Sequence, residues 1–136
     1  MGLKLYKATL KDARAIGNLN RRLLGGYDEP DDIKKSIKGN NAYVIKDGNT
    51  VVAAITIDDF SYEHPCIYTL AVKEKYQRRG LGSWLVNFSK RVWRPHSDHI
   101  RVGSEDIYNA KKFYNKLGFM EFNRDETGFD MRAPLV

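Results

Sequence analysis

The segment Tyr68-Thr69-Leu70-Ala71-Val72-Lys73-Glu74-Lys75-Tyr76-Gln77-Arg78-Arg79-Gly80-Leu81-Gly82-Ser83-Trp84 passes from strand to turn to helix with no spacer. With Ile67 it opens as a β-branched and aromatic run, Ile67 to Val72, that reads as a buried strand. A charged turn follows, then Gly80 and Gly82 two residues apart, then the apolar helical pattern Leu81, Leu85, Val86, Phe88. A strand, a basic glycine turn and a helix start in direct succession can form an anion site. The first N–H groups of a helix have no partner inside it, and the helix dipole adds positive potential at the same end. Glycine lets the backbone approach a phosphate with no Cβ in the way.

Two common phosphate loops do not fit. A Walker-type loop needs a wider glycine spacing followed by Lys-Ser/Thr, and glycine, not lysine, precedes Ser83. A dinucleotide fingerprint needs a third glycine where Leu85 stands. What remains is Gln77-Arg78-Arg79-Gly80-Leu81-Gly82. It resembles the Gln/Arg-x-x-Gly-x-Gly/Ala pyrophosphate loop of the GNAT superfamily of acyl-CoA-dependent N-acyltransferases, and Leu70-Ala71-Val72 and Tyr76 match that family's lead-in. Taken alone, the six residues suit a glycine-eased strand-to-helix turn equally well. A second segment adds weight: Ala110-Lys111-Lys112-Phe113-Tyr114-Asn115-Lys116-Leu117-Gly118-Phe119 resembles the family's late helix and its exit. The motifs occur in the family's order, with a strand-like segment, Ile100 to Val102, between them. The resemblance is close over the second half of the chain and one of layout over the first.

The bulk numbers bound the class. The 136 residues, 42% hydrophobic, suit one domain, 1–136, with a single core. No apolar run approaches the roughly 18 residues that span a bilayer, and the N-terminus lacks a signal-peptide pattern, so no membrane association is expected. One cysteine, Cys66, excludes an intramolecular disulfide framework and fits a cytoplasmic protein. Three histidines and no paired cysteines give no expectation of a metal.

The formal net charge is +6. Lys73 to Arg94 holds seven basic residues and one acid, so the rest of the chain balances. A basic patch on the glycine turn and its helix suits a polyanion such as coenzyme A. A nucleic-acid face would use the same charge, and a solvated helix face would need neither; Lys90, Arg91 and Arg94 are candidates for the last. No RNA-binding aromatic motif or helix-turn-helix signature is present, so a nucleic-acid partner is not expected.

In chain order, Leu3 to Ala8 alternates as a strand, and Thr9 with Asp12 resembles a capping box. The helix that follows carries Ala13, Ile16, Leu19, Leu23 and Leu24 as its apolar stripe and stops at Gly25-Gly26. Tyr27 to Asp32 holds four carboxylates, which with Pro30 suit the first turn of a short helix, Asp31 to Lys38. Ala42 to Ile45 and Thr50 to Ile57 are strand-like around Lys46-Asp47-Gly48-Asn49, a hairpin signal. After the central strand and its helix, ended by Pro95, come a strand at His99 to Gly103, a helix from Asp106 to Leu117, and a closing pair, Phe119 to Asn123 with Gly128 to Arg132. On pattern alone this is a mixed α/β domain. The resemblance implies a GNAT-like, mostly antiparallel sheet of six to seven strands flanked by about four helices.

It also implies a reaction: acetyl transfer from acetyl-CoA, as cosubstrate, to a primary amine by direct attack. Such transfer needs a neutral amine, donors for the oxyanion and a proton for the departing thiolate. By position, the pantetheine arm falls on the main chain of Leu70, Ala71 and Val72, and the pyrophosphate on Gln77, Arg78, Arg79, Gly80, Leu81, Gly82 and Ser83. Tyr114 matches the family's general acid; its alternative is a packed helix tyrosine beside Phe113, and Tyr108 competes for the role. The family often has Asn where this chain has Ile107, which weakens Asn109 as a ligand. Glu63 is a candidate base, with His64 and Glu105 as others, and bulk water would also serve. Cys66 reads as a packed small hydrophobe rather than a nucleophile. The acidic Tyr27 to Asp32 segment suggests a cationic acceptor, a small molecule or a peptide. A non-catalytic acyl-CoA-binding module remains the alternative, and monomer and homodimer are both open.

Overall fold

In a computed structural model, residues 2–24, 30–58, 64–104, 110–126 and 128–135 are described. They form seven strands and four α-helices in the expected order, in a mostly antiparallel mixed α/β arrangement. The elements are β1 (Leu3–Lys7), α1 (Ala13–Leu24), α2 (Pro30–Lys38), β2 (Ala42–Asp47), β3 (Thr50–Asp58), β4 (Cys66–Val72), α3 (Leu81–Trp93), β5 (His99–Ser104), α4 (Ala110–Lys116), β6 (Met120–Asp125) and β7 (Gly128–Pro134). Strand order in the sheet is β1-β2-β3-β4-β5-β7-β6. No helix among the described residues is long and apolar enough to cross a membrane. The chain divides into two compact units, residues 1–57 with 69–85, and residues 58–68 with 86–136.

In the first unit, β1 and β3 both pair antiparallel with β2. The Asp-Gly signal is realised: Asp47 faces Thr50 across the hairpin and Gly48 takes φ +63°. The Val52–Ile57 run of β3 is buried on both faces, so it reads as a near-continuous apolar run rather than an alternation. Its apolar cluster joins Ile16 and Leu19 of α1, Ile33 and Ile37 of α2, Val44, Ala54 and Ala71. The capping signal also holds. Thr9 donates its N–H to the Asp12 carboxylate at 2.9 Å, and Asp12 goes on to pair with Lys46 at 3.0 Å.

One position on the expected apolar stripe of α1 is corrected. Leu24 is 49% exposed. The buried residues of α1 are Ile16, Gly17, Leu19 and Asn20; at 100° per residue Leu24 lies on the same arc, but it closes the helix a full turn beyond the last of them. The polar Asn20 is buried instead.

The second unit holds β5, β7 and β6, with β7 antiparallel to both neighbours. Phe119, Met131, Ala133 and Leu135 are buried there, while every residue of the edge strand β6 is exposed. Two cations expected on a solvated helix face have structural partners. Lys90 donates to the Leu117 carbonyl at 2.7 Å, just past the end of α4, and Arg94 donates to the Leu135 carbonyl at 3.0 Å. Lys90 thus meets the negative end of a helix dipole, and Gly118 beyond it turns the chain at φ +90°. Replacing Lys90 with methionine is expected to lower stability by roughly 1–2 kcal/mol, the size of a charge-assisted hydrogen bond, measured as a shifted denaturation midpoint with unchanged slope.

Candidate functional site

β4 presents the candidate site on one of its edges. Lys73, directly after the strand, donates its N–H to the Val52 carbonyl of β3 at 2.8 Å. Successive residues of a strand direct their main-chain groups to opposite edges. Ala71 therefore shares the β3 edge, while Leu70 and Val72 face away from it. The parallel ladder between β4 and β5 consists of Cys66 with Arg101 and Ile67 with Val102, and it stops there. Among the described residues, no ladder engages the outward main-chain groups of Leu70 or the N–H of Val72, so an extended ligand can add along that edge as a further strand. Of the three residues expected to act alike, Ala71 is set apart: its main chain serves β3 and its methyl is buried in the core.

The turn after β4 is held by its own side chains. Gln77 reaches back and donates through Nε2 to the Val72 carbonyl at 2.9 Å. Arg78 and Gly80 take φ of +66° and +80°. Two left-handed residues so close together fold the turn tightly against the start of α3. Trp84 N–H bonds to the Gly80 carbonyl at 2.9 Å, the first α3 bond. The N–H groups of Leu81, Gly82 and Ser83 precede it and have no intrahelical acceptor. No carboxylate occupies the first turn of α3, while Arg78 and Arg79 are both exposed on the turn. Nothing lies within 4 Å of where a Gly80 Cβ would sit. Its charge, its free donors and its open space suit the turn to a phosphate.

Tyr114 lies in the second unit on α4, 6% exposed, its ring edge-on to Phe113 and Phe119 with centroids 5.0 and 5.2 Å apart. Its hydroxyl has no hydrogen-bond partner among the described residues. Burial, with the nearby Cys66 sulfur adding to it, raises the phenol well above its ordinary value of 10.0. A phenol so raised stays protonated through the neutral and mildly alkaline range and has a proton to give.

Burial, with Asp58 and Asp130 adding to it, pushes the Cys66 thiol up to about 11. The thiol donates only a long bond to the Ile67 carbonyl, 3.7 Å. At pH 7 the thiolate fraction is then on the order of one in ten thousand. Cys66→Ala is expected to keep acyl-transfer activity, and the wild-type thiol to resist iodoacetamide at pH 7 while reacting above pH 10. Rapid alkylation at neutral pH with matching loss of activity would reverse this assignment.

The remaining candidates divide. Asp31 and Asp32 lie in the first turn of α2, where they complement the helix dipole. Glu63 falls outside the described residues, as do Asp28, Glu29, Glu105, Ile107, Tyr108 and Asn109. His64 bonds through Nδ1 to Ser97 Oγ at 2.9 Å and stacks on His99 with centroids 3.8 Å apart. His99 in turn contacts Asp98 through Nδ1 at 2.7 Å and accepts from Arg101 Nε through Nε2 at 3.0 Å. His64, Asp98 and His99 bring potential metal-ligand atoms together. Yet Arg101 at Nε2 fixes the His99 proton on Nδ1, where it serves Asp98 rather than a cation.

Sequence reasoning missed a buried polar chain beneath β4. Asn20 donates to Thr69 Oγ1 at 3.2 Å, and the Thr69 and Thr56 hydroxyls meet at 2.6 Å. The partners lie far apart in the chain, so no local pattern signals them.

The model for an "Acetyltransferase (GNAT) domain" matches residues 38–121, more than half of the chain, and takes in both β4 with its glycine turn and Tyr114. The chain belongs to the GNAT acetyltransferase family. Solved structures share the fold over its whole length. Ard1 from Thermoplasma volcanium superposes with a TM-score of 0.87 at 20% identity, covering 100% of this chain and 99% of that one. The PaiA N-acetyltransferase from Thermoplasma acidophilum, in complex with coenzyme A, gives 0.82 at 16% identity, covering 98% and 99%. Among curated proteins, a ribonuclease H of Rhodopseudomonas palustris (strain BisB5) is 29% identical over 77 residues, 57% of this chain and 50% of that protein. The chain thus spans about half the length of the curated relatives it matches.

Proposed function

We propose that this GNAT chain transfers an acetyl group from acetyl-CoA to a primary amine, a small cationic amine or a peptide amine, by direct attack and with Tyr114 as general acid. The observation that carries the reading is the outward edge of β4 followed at once by the phosphate cradle. One edge takes an extended pantetheine arm through Leu70 and Val72, and the turn from Gln77 to Ser83 takes the pyrophosphate. A backbone N–H on that edge polarises the thioester carbonyl.

The neutral amine attacks the carbonyl carbon, forming the C–N bond and moving the carbonyl pair onto oxygen. The oxyanion then collapses, the C–S bond breaks, and the departing sulfur takes the Tyr114 proton. The ammonium proton leaves to water or to a base, for which Glu63 remains a candidate. Thiolate is already a fair leaving group, so no acyl-enzyme is required, and the raised thiol of Cys66 agrees with its absence from the chemistry. Asp31 and Asp32 at the start of α2 lend local negative potential that favours a cationic acceptor.

A panel of diamines, amino-acid amides and basic peptides, each incubated with acetyl-CoA and the protein, tests the reading by mass spectrometry of the amine. Acetylated product that depends on the protein and is formed from at least one class supports it. Acetyl-CoA binding with no acetylated amine across the panel would favour the acyl-CoA-binding module instead.

A further inference from the structure

The phosphate turn is tied to a distant hairpin within the first unit. Tyr76, in the short 3-10 turn Glu74–Tyr76 that leads into the cradle, donates its hydroxyl to Asp47 Oδ2 at 2.5 Å. Asp47 closes β2 at the mouth of the β2–β3 hairpin, where it faces both Leu3 and Thr50. The Gly48 N–H beside it bonds to the Gly2 carbonyl at 3.4 Å. On the other side, the Arg79 guanidinium lies over the Tyr76 ring at 5.3 Å, with the Lys75 ammonium at 5.7 Å from the same ring. Asp47, Tyr76 and Arg79 thus form a chain of contacts from the paired β2–β3 hairpin to the exposed cation next to Gly80.

We infer that Asp47 and Tyr76 are positioning residues that hold the Arg79 guanidinium at the phosphate turn, so that a hairpin carboxylate sets the affinity for the cofactor's phosphates. This rests on the proposed use of acetyl-CoA. A cation stacked on a ring keeps its direction at low entropic cost, and the ring itself is fixed by its hydroxyl. Hydrogen bonding to Asp47 raises the Tyr76 phenol above its ordinary value, so the donor stays protonated across the working range. The sign of the Asp47 effect is diagnostic. As a bare charge, a carboxylate near a phosphate site repels the ligand, so removing it would tighten binding. As an anchor, its removal loosens binding.

The test is a set of acetyl-CoA titrations by calorimetry on the wild type, Tyr76→Phe, Asp47→Ala, Arg79→Ala and the double variant Tyr76→Phe/Arg79→Ala. The inference expects Tyr76→Phe and Asp47→Ala each to raise Kd about three- to tenfold, the size of a typical lost hydrogen bond. In the Arg79→Ala background, Tyr76→Phe should add nothing, because its effect passes through the missing guanidinium. Asp47→Asn, which keeps an acceptor oxygen, should recover most of the affinity. In turnover the loss should appear in KM for acetyl-CoA with kcat unchanged, a split that general destabilisation would not produce. Tighter binding by Asp47→Ala, or an equal Tyr76→Phe effect with and without Arg79, overturns the inference and leaves the acetyl-CoA reading intact. A wild type that binds no acetyl-CoA overturns both.

Discussion

Tyr114→Phe is expected to lower kcat for acetyl transfer by about 10²- to 10⁴-fold, the usual contribution of a positioned general acid, with KM for acetyl-CoA little changed. Phenylalanine keeps the edge-on contacts to Phe113 and Phe119, so the fold should survive and the loss should be chemical. The pH profile carries a second signature. The folded phenol titrates above its ordinary value of 10.0 because burial disfavours the phenolate. Its acid form is therefore complete at neutral pH and is lost only as pH climbs past 10. The wild-type rate should rise as the acceptor amine deprotonates and show no falling limb from this tyrosine below about pH 10. The same sign governs stability: the buried phenol favours the fold fully below its unfolded value, and that contribution weakens only at higher pH. Full kcat in Tyr114→Phe, with an unchanged profile, would remove the acid role and leave a packing tyrosine.

The second large effect is expected at Gly80. Its φ of +80° is one that a β-branched residue avoids. The open space around a Cβ there means that the Cβ of Gly80→Val meets no neighbour within 4 Å. The cost is the backbone itself, about 1–2 kcal/mol for a side chain in the left-handed region. If the turn relaxes to escape that cost, the N–H groups that face the ligand are misaimed; if it does not, the new side chain stands where phosphate must approach. Either way acetyl-CoA affinity should fall about tenfold or more, with a melting temperature lower by a few degrees. Gly80→Asn is the control. Asparagine tolerates the left-handed region, so it should restore the melting temperature while still obstructing the ligand. Wild-type affinity in Gly80→Val would mean the turn does not hold the cofactor.

Local signals are legible in the sequence because local physics sets them. The Asp47-Gly48 hairpin, the Thr9–Asp12 cap, the helix stop at Gly118 and the strand–turn–helix from Ile67 to Trp93 each depend on neighbours within a few residues. The element order followed, and so did the family. What escaped was whatever depends on distant partners. Lys90 and Arg94 look like surface charge until Leu117 and Leu135 bring carbonyls to them. Asn20 gives no local sign of burial because its partner Thr69 lies on a strand far along the chain. The Tyr76–Asp47 contact joins a motif residue to a hairpin in the other half of the first unit. At β4, Leu70 and Ala71 are adjacent and apolar, and only the direction of the Lys73 N–H shows which of them faces outward. Glu63 and the acids Asp28 and Glu29 fall outside the described residues.

The most direct test of the central claim is a calorimetric titration with acetyl-CoA, followed in the same cell by a thiol assay as primary amines are added. One-to-one binding that weakens with salt, then free thiol released only when amine is present, is the result expected of the β4 edge and its phosphate turn. Absence of acetyl-CoA binding at any salt concentration would contradict it, and the basic turn would then need a different anion.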